Sequence, residues 1–208
     1  MSAPHAPLDA ATLGPDPIVA FRRWFDEAGD AGVRMPEAMA LATATPAGKP
    51  SLRWVLLRGL EEPGHFIFFT NGESRKGREI AANREAALAF YWDPLDRQVR
   101  VEGPVVAIDD EESDAYWATR ARASQVSAAV SRQSQPAADR AAMDRAFTEY
   151  DARFPSGVPV PRPPHWGGFG LVAHAIEFWQ GQPARFHDRL RYERAHPGAP
   201  WTVTRLWP

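Results

Sequence analysis

Between Ala38 and Ile108 the hydrophobic pattern has a period of two, broken at short intervals by turn residues, and this limits the fold more than any other feature of the chain. "AMALATAT", the turn "PAGKP", "SLRWVLLRGL", the turn "EEPG" and "HFIFFT" read as three strands of an antiparallel meander. "AALAFYW" and "RQVRVEGPVVAI" read as two more. In the second, Val99 and Val101 alternate with Gln98, Arg100 and Glu102, so one face is apolar and the other wet. Strand patterning returns in "GFGLVAHAIEFWQG", "RFHDRLRYER" and "WTVTRLWP". So many antiparallel strands present edges that must be hidden or paired. The expected class is α+β, an antiparallel sheet closed into a barrel that removes its edges, with peripheral helices.

The helical segments fit around that sheet. Asp16 followed by Pro17 is an N-cap with proline at the first helical position. Ile18, Phe21, Phe25 and Ala28, with Trp24 beside Phe25, then predict an amphipathic helix ending near Gly32. "SRKGREIAAN" reads as a short helix capped by Ser74. "DDEESDAYWATR" carries acids in its first turn and arginine in its last, matching the helix dipole. "SQVSAAVSRQS" and "AADRAAMDRAFTEYDARF" continue the helical block, and "PSGVPVPRPPHW" reads as a proline-stiffened connection across the surface. Residues 1–15 are Pro-rich and aperiodic and read as a loose tail, leaving 16–208 as one domain large enough for a real core.

Composition removes several function classes. The chain has no cysteine, which excludes disulfides, thiolate metal sites, iron–sulfur clusters and cysteine nucleophiles, so the fold rests on packing. A net charge of −2 with 24% charged and 44% hydrophobic residues suits neither a nucleic-acid-coating protein nor a disordered one. The N-terminus lacks a basic n-region and an apolar h-region, and no run reaches the roughly 20 apolar residues of a membrane span, so a cytoplasmic protein is expected. The six histidines show no HxxxH or HxH spacing, and no metal site is expected. There is no GxSxG, GxGxxG or GxxxxGK[ST].

What remains is a set of cationic and hydroxyl clusters. Arg53 and Arg58 flank "WVLL", where a five-residue offset puts them on opposite faces of a regular strand. Ser74, Arg75 and Lys76 stand where a strand gives way to a helix, a place suited to phosphate. Arg120 and Ser124 end one helix and open the next, with Ser131, Arg132, Gln133 and Ser134 one short helix later. Arg185, His187 and Arg189 follow a period of two on one strand face. Each has an ordinary alternative: solvated helix residues, complements to helix C-termini, or the wet face of an edge strand. Trp179, Tyr116 and Trp117 are by default packing aromatics. Together they exceed what solubility needs and suit a site for phosphorylated planar ligands, with two dianions for the cations and a flat ring for Trp179.

The stretches "RWVLLRG", "FFTNGESRKGREIAAN", "RQVRVEG", "SQVSAAVSRQS", "HWGGF", "EFWQGQPARFHDRLRYER" and "RLWP" resemble the pyridoxine (pyridoxamine) 5'-phosphate oxidases over nearly the whole chain, from about Asp16 to Pro208. The resemblance implies an FMN-binding split β-barrel of Greek-key type and a homodimer with FMN at the subunit interface. It places Arg53, Phe69, Thr70, Arg75, Lys76, Gln98, Gln133, Ser134, Trp179 and Arg189 against the flavin, with Arg75 and Lys76 at its phosphate. It places Arg58, Tyr116, Arg120, Ser124, Arg185 and His187 against the substrate, the last two as catalytic residues over the pyridine ring. The implied reaction oxidises pyridoxamine or pyridoxine 5'-phosphate to pyridoxal 5'-phosphate by hydride transfer from C4' to flavin N5, with O2 giving H2O2. A related branch of the fold oxidises phenazine precursors, and a non-catalytic flavin- or pyridoxal-phosphate-binding protein is the further alternative; retention of Arg185, His187 and Tyr116 weighs against the latter. Two departures stand out. Arg58 occupies a position where many members carry lysine, replacing a point charge by a planar fork. Residues 1–15 contain no arginine or tyrosine, where members commonly have a basic, tyrosine-bearing segment that folds over the active site.

Overall fold

The computed structural model describes residues 5–155 and 157–208. Alternating burial along β1 (Ala38–Ala44), with Met39, Leu41 and Thr43 inward, continues in β2 (Pro50–Leu56), its antiparallel partner. The segment read as one strand, 51–60, then breaks at Leu57 and Arg58. Its remainder, β3 (Gly59–Glu61), pairs with β4 (His65–Asn71) instead. The three expected strands are therefore not one meander: the break carries the chain from one part of the sheet to another. β5 (Glu85–Trp92) and β6 (Arg97–Ala107) follow as expected.

"GFGLVAHAIEFWQG" likewise divides, into β7 (Trp166–Val172) and β8 (Ala175–Gln180), both paired with β6. Gly103 of β6 faces this division, where a Cβ would fall 2.0 Å from the Val172 carbonyl oxygen. Beyond it β7 also pairs with β4, while β8 pairs with β9 (Asp188–Glu193) and β9 with β10 (Thr202–Arg205). All ten strands are antiparallel to their partners in one curled sheet, ordered β10-β9-β8-β6-β5-β1-β2, with β7, β4 and β3 branching from β6. This is the half-barrel of split-barrel proteins. It is not closed by hydrogen bonds: β2, β3 and β10 keep a free edge among the described residues.

The concave side holds the core. Helix α2 (Pro17–Asp30), capped by the Asp16 carboxylate on the Ile18 N–H, buries Ile18, Phe21, Trp24 and Ala28, with Phe25 only partly covered. Phe21 meets Phe66 and Phe90 edge-on, each at 5.0 Å, and Trp24 meets Phe178 at 5.1 Å. Residues 5–15 depart from the expected tail; residues 1–4 lie outside the described ones. Asp9 and Thr12 form a capping box around α1 (Ala10–Leu13), and Leu8 and Leu13 are buried in the main core. Aperiodicity concealed this because one short turn needs only two apolar anchors.

Helices α4 (Asp110–Thr119), α5 (Arg122–Val130) and α6 (Arg140–Asp151) gather around a second apolar cluster of Trp117, Val126, Val160 and Trp166. α5 stops at Val130, so Ser131 to Ser134 are not helical as the pattern suggested. The proline-rich connection is pinned rather than merely surface-borne: Val160 is buried and accepts from Trp117 Nε1–H at 2.8 Å, and Arg162 bridges Asp110 and Asp114. No helix among the described residues is long and apolar enough to cross a membrane.

Candidate active site

One end of the site is built where β4 passes into α3 (Arg75–Ala82). Asn71 Oδ1 accepts the Glu73 N–H at 2.7 Å, and Ser74 Oγ accepts the Gly77 N–H, turning the chain sharply into the helix. Gly77 is required here, since a Cβ would lie 2.1 Å from the Gly72 carbonyl oxygen. Lys76 is thereby carried inward and is 7% exposed. Its Nζ donates to Thr70 Oγ1 at 2.8 Å, Gln133 Oε1 at 2.6 Å and Ser74 Oγ at 3.2 Å. No carboxylate among the described residues pairs with it. Burial first, and Arg53 second, lower its pKa to about 8.

Arg53 and Arg75 meet behind Lys76 at the buried carboxylate of Glu79. Arg75 Nε–H donates to Oε1 at 2.9 Å, and Arg53 approaches Oε2 at 3.4 Å. Thr43 and Ser51, cross-strand partners on β1 and β2, donate their hydroxyls to Oε2 and accept from Arg53. Burial opposes ionisation of Glu79, but the hydrogen bonds from Ser51, Thr43 and Arg75 outweigh it and hold the pKa at about 2.

The opposite wall comes from α4 and α5. Arg120 caps the C-terminus of α4, and its guanidinium lies 4.8 Å from the Trp166 ring and 5.5 Å from Trp117 while donating to the Ser124 carbonyl at 3.0 Å. Its buried Nε–H finds no partner among the described residues. Burial lowers the Arg120 pKa against an opposing effect of Tyr116, and neighbouring Arg58 adds to the lowering. Phe69 stacks on Tyr116 at 3.9 Å and on Trp166 at 5.4 Å, forming an aromatic wall. Between the walls lies a cavity of about 460 Å³ lined by Arg58, Phe69, Thr70, Lys76, Tyr116, Arg120, Ser124 and Gln133 among others. A second, of about 430 Å³, shares Phe69, Arg120, Ser124 and Gln133 with it. Eight of the expected site residues thus converge, with Arg53 and Arg75 behind them. Ser134 follows Gln133 as an exposed residue at φ 71°.

The remaining expected residues form a separate group. Gln98, Trp179 and Arg189 are register partners on β6, β8 and β9, so they share one face. Their neighbours Val99, Phe178 and Leu190 point into the core, which places the Gln98 row on the convex side. Arg189 is held by Glu177 at 2.9 Å and by the Trp207 carbonyl at 3.0 Å. The stripe reading needs correction at Arg185 and His187: neither lies on the strand, which begins at Asp188. They belong to a tight loop in which Ala184 and Arg185 take φ 56° and 60°, conformations that cost a non-glycine residue. His187 nonetheless reaches Trp179, ring to ring at 4.5 Å. The Gln182 N–H donates to His187 Nδ1 at 3.1 Å, which puts the proton of the neutral ring on Nε2. None of these five residues lines the cavity.

Sequence reasoning missed Glu79, Thr43, Ser51, Trp54 and Trp166. Glu79 left a signal, a lone acid four residues after Arg75 on one helix. Thr43 and Ser51 left none, because their pairing depends on strand register.

Comparisons with known proteins agree with this architecture. Residues 25–154 match the family described as pyridoxamine 5'-phosphate oxidase, and residues 166–208 match the pyridoxine 5'-phosphate oxidase C-terminal dimerisation region. The pyridoxine/pyridoxamine 5'-phosphate oxidase of Rubrobacter xylanophilus is 56% identical over 194 residues, covering 93% of this chain and 88% of that protein. The protein of the same name from Paraburkholderia phymatum is 51% identical, covering 97% and 93%. Among solved structures, PhzG from Burkholderia lata 383, in complex with tetrahydrophenazine-1-carboxylic acid, superposes with a TM-score of 0.90 at 34% identity, covering both chains fully. An FMN-binding protein from Nostoc punctiforme shares the fold, with a TM-score of 0.72 at 21% identity over 90% of this chain and 97% of that one.

Proposed function

From the premise that this chain belongs to the pyridoxamine 5'-phosphate oxidase family, we propose that it is an FMN-dependent oxidase converting pyridoxamine or pyridoxine 5'-phosphate to pyridoxal 5'-phosphate, with O2 as acceptor and H2O2 as by-product. The observation that carries the reading is the pair of cationic groups in one cleft, Lys76 with Arg53 and Arg75 at one end and Arg120 with Arg58 at the other. Two phosphorylated rings lying together need two such groups.

The residues present fit the cofactor. Lys76 has no counter-carboxylate among the described residues and stands at the N-terminus of α3, and the two arginines beside it, Arg53 and Arg75, share the single carboxylate of Glu79. FMN, when bound, supplies the hydride acceptor and the route of electrons to O2. Lys76 and Arg75 hold its phosphate, with Arg53 behind them. Arg120, Arg58, Ser124 and Tyr116 hold the substrate phosphate. Arg120 does so with an Nε–H that has no other partner among the described residues. Phe69, Tyr116 and Trp166 exclude water from one side. Arg185 covers the substrate ring, and His187 presents Nε2–H to the substituent at the reacting carbon. The protein's contribution is positioning and charge neutralisation.

Arg185 and His187 lie with the Gln98 row, outside the cleft of their own chain. A homodimer that sets the convex face of one subunit against the cleft of the other completes the site. The match to the dimerisation region supports this, as do Leu52 and Trp54 on edge strand β2, 68% and 67% exposed.

A second reading keeps the flavin and exchanges the substrate for a phenazine-type ring, and the likeness to PhzG favours it. The higher identity to the named oxidases and the cationic substrate end favour the first. Anaerobic mixing of the flavin-loaded protein with pyridoxamine 5'-phosphate decides between them. Bleaching of the flavin absorbance is expected; bleaching by a reduced phenazine carboxylate alone would replace the first reading with the second.

A further inference from the structure

The two arginines placed at the flavin phosphate carry like charge, and Arg75 adds to the lowering of the Arg53 pKa that burial begins. Glu79 takes one on each oxygen, Arg75 on Oε1 and Arg53 on Oε2. Its side chain is 6% exposed, and the carboxylate accepts from Thr43 at 2.5 Å and from Ser51. Those hydroxyls also accept from Arg53, and Arg53 donates in addition to the Leu41 carbonyl at 3.0 Å. Both Nη groups of Arg53 are thus tied to β1, β2 and Glu79. Among the described residues the Arg75 side chain is held only through Nε, and it remains 51% exposed, so its two Nη groups are left for a ligand.

Resting on the reading above, we infer that Glu79 is a positioning residue for the flavin phosphate: with Thr43 and Ser51 it fixes the spacing and direction of Arg53 and Arg75. It touches neither flavin nor substrate. The inference has a sign that electrostatics alone does not share. Removing a negative charge beside a phosphate site tightens phosphate binding if charge is all that matters. If Glu79 orients the arginines, removing its charge weakens that binding despite the better net charge.

The test is a fluorescence titration of flavin-stripped protein with FMN and with riboflavin, which lacks the phosphate. Glu79→Gln is expected to raise the FMN dissociation constant by about tenfold or more and to leave riboflavin within about twofold, the scale of losing charged hydrogen bonds. Unchanged or tighter FMN binding overturns the inference. So does an equal loss for both flavins, which marks Glu79 as a tie between α3 and the sheet and no more. Should Glu79→Gln fail to fold, Ser51→Ala keeps the carboxylate and is expected to weaken FMN selectively by a smaller factor; no selective loss overturns the inference. The unmodified protein separates the two levels. If it binds FMN no better than riboflavin, the phosphate-site reading itself fails; if it prefers FMN and the variants keep that preference, only the role of Glu79 fails.

Discussion

Lys76 is a buried cation whose three donors are met by neutral oxygens, and burial, with Arg53 adding to it, lowers its pKa to about 8. A phosphate dianion in reach of Nζ restores the charged form, so the pKa rises on binding. Below pH 8 the free site is already protonated and affinity changes little. Above it the free lysine loses its proton while the bound one keeps it, so FMN affinity should fall as pH rises, by up to about tenfold per unit. Lys76→Met should bind more weakly at pH 7 and lose this slope; a slope that persists in the variant would assign it elsewhere. The flavin-free protein runs the other way. Its folded pKa lies below the unfolded value of 10.5, so the unfolded chain holds more protons between these values and this lysine's contribution to stability rises with pH there. The residue was legible in the sequence as a cation at a helix start. Its burial was not, because burial comes from Gly77 lying against Gly72 and from Gln133 arriving across the cleft.

At the scale of elements, the loop from Gly181 to Asp188 shows how far the setting of an expected site residue can depart from what its spacing suggests. The spacing of Arg185, His187 and Arg189 suggested one strand face, but Pro183 starts a tight turn and two residues take left-handed conformations. Such a loop holds its shape only if its ends are tied. Asp188 is the tie: its Oδ2 accepts from Leu8 N–H at 3.1 Å and Gln182 Nε2 at 2.9 Å, and Oδ1 accepts from Arg205 at 2.6 Å. Gln182 Nε2 also donates to the His5 carbonyl at 3.2 Å. The N-terminal segment therefore clips onto the loop that carries Arg185 and His187. Asp188→Ala should leave the flavin complement intact and lower kcat by about tenfold to a hundredfold, the cost of misplacing catalytic groups by roughly an ångström. An unchanged kcat, or loss of flavin instead, would refute this. The strands themselves were readable because one buried face forces alternation, as in Met39, Leu41 and Thr43. The breaks at Leu57–Arg58 and Ala173–His174 were hidden, since partner exchange in a sheet leaves the local period intact.

For the whole molecule, the expected site falls into two groups that one chain holds apart. Phe69 and Thr70 on β4 connect to β6 through β7, near Val105 to Ala107, whereas Trp179 and Arg189 connect through β8, near Gln98 at its other end. The family resemblance named residues of both groups without any sign of the gap, because separation on a curled sheet depends on which end of β6 each strand meets. If a partner's convex face completes each cleft, two defective chains can repair one another. Arg75→Ala with Lys76→Ala damages the cleft, and its homodimer should purify nearly colourless. Arg185→Ala damages the convex group, and its homodimer should keep flavin and lose most turnover. In a mixed dimer one site carries both defects and the other none. Random reassociation makes half of the dimers mixed, with one of two sites intact, so mixing the two inactive proteins after reversible dissociation should recover about a quarter of the unmodified activity. A site built within a single subunit predicts no recovery at any mixing ratio, and that result would remove the partner from the active site while leaving the fold and the two clusters as they are.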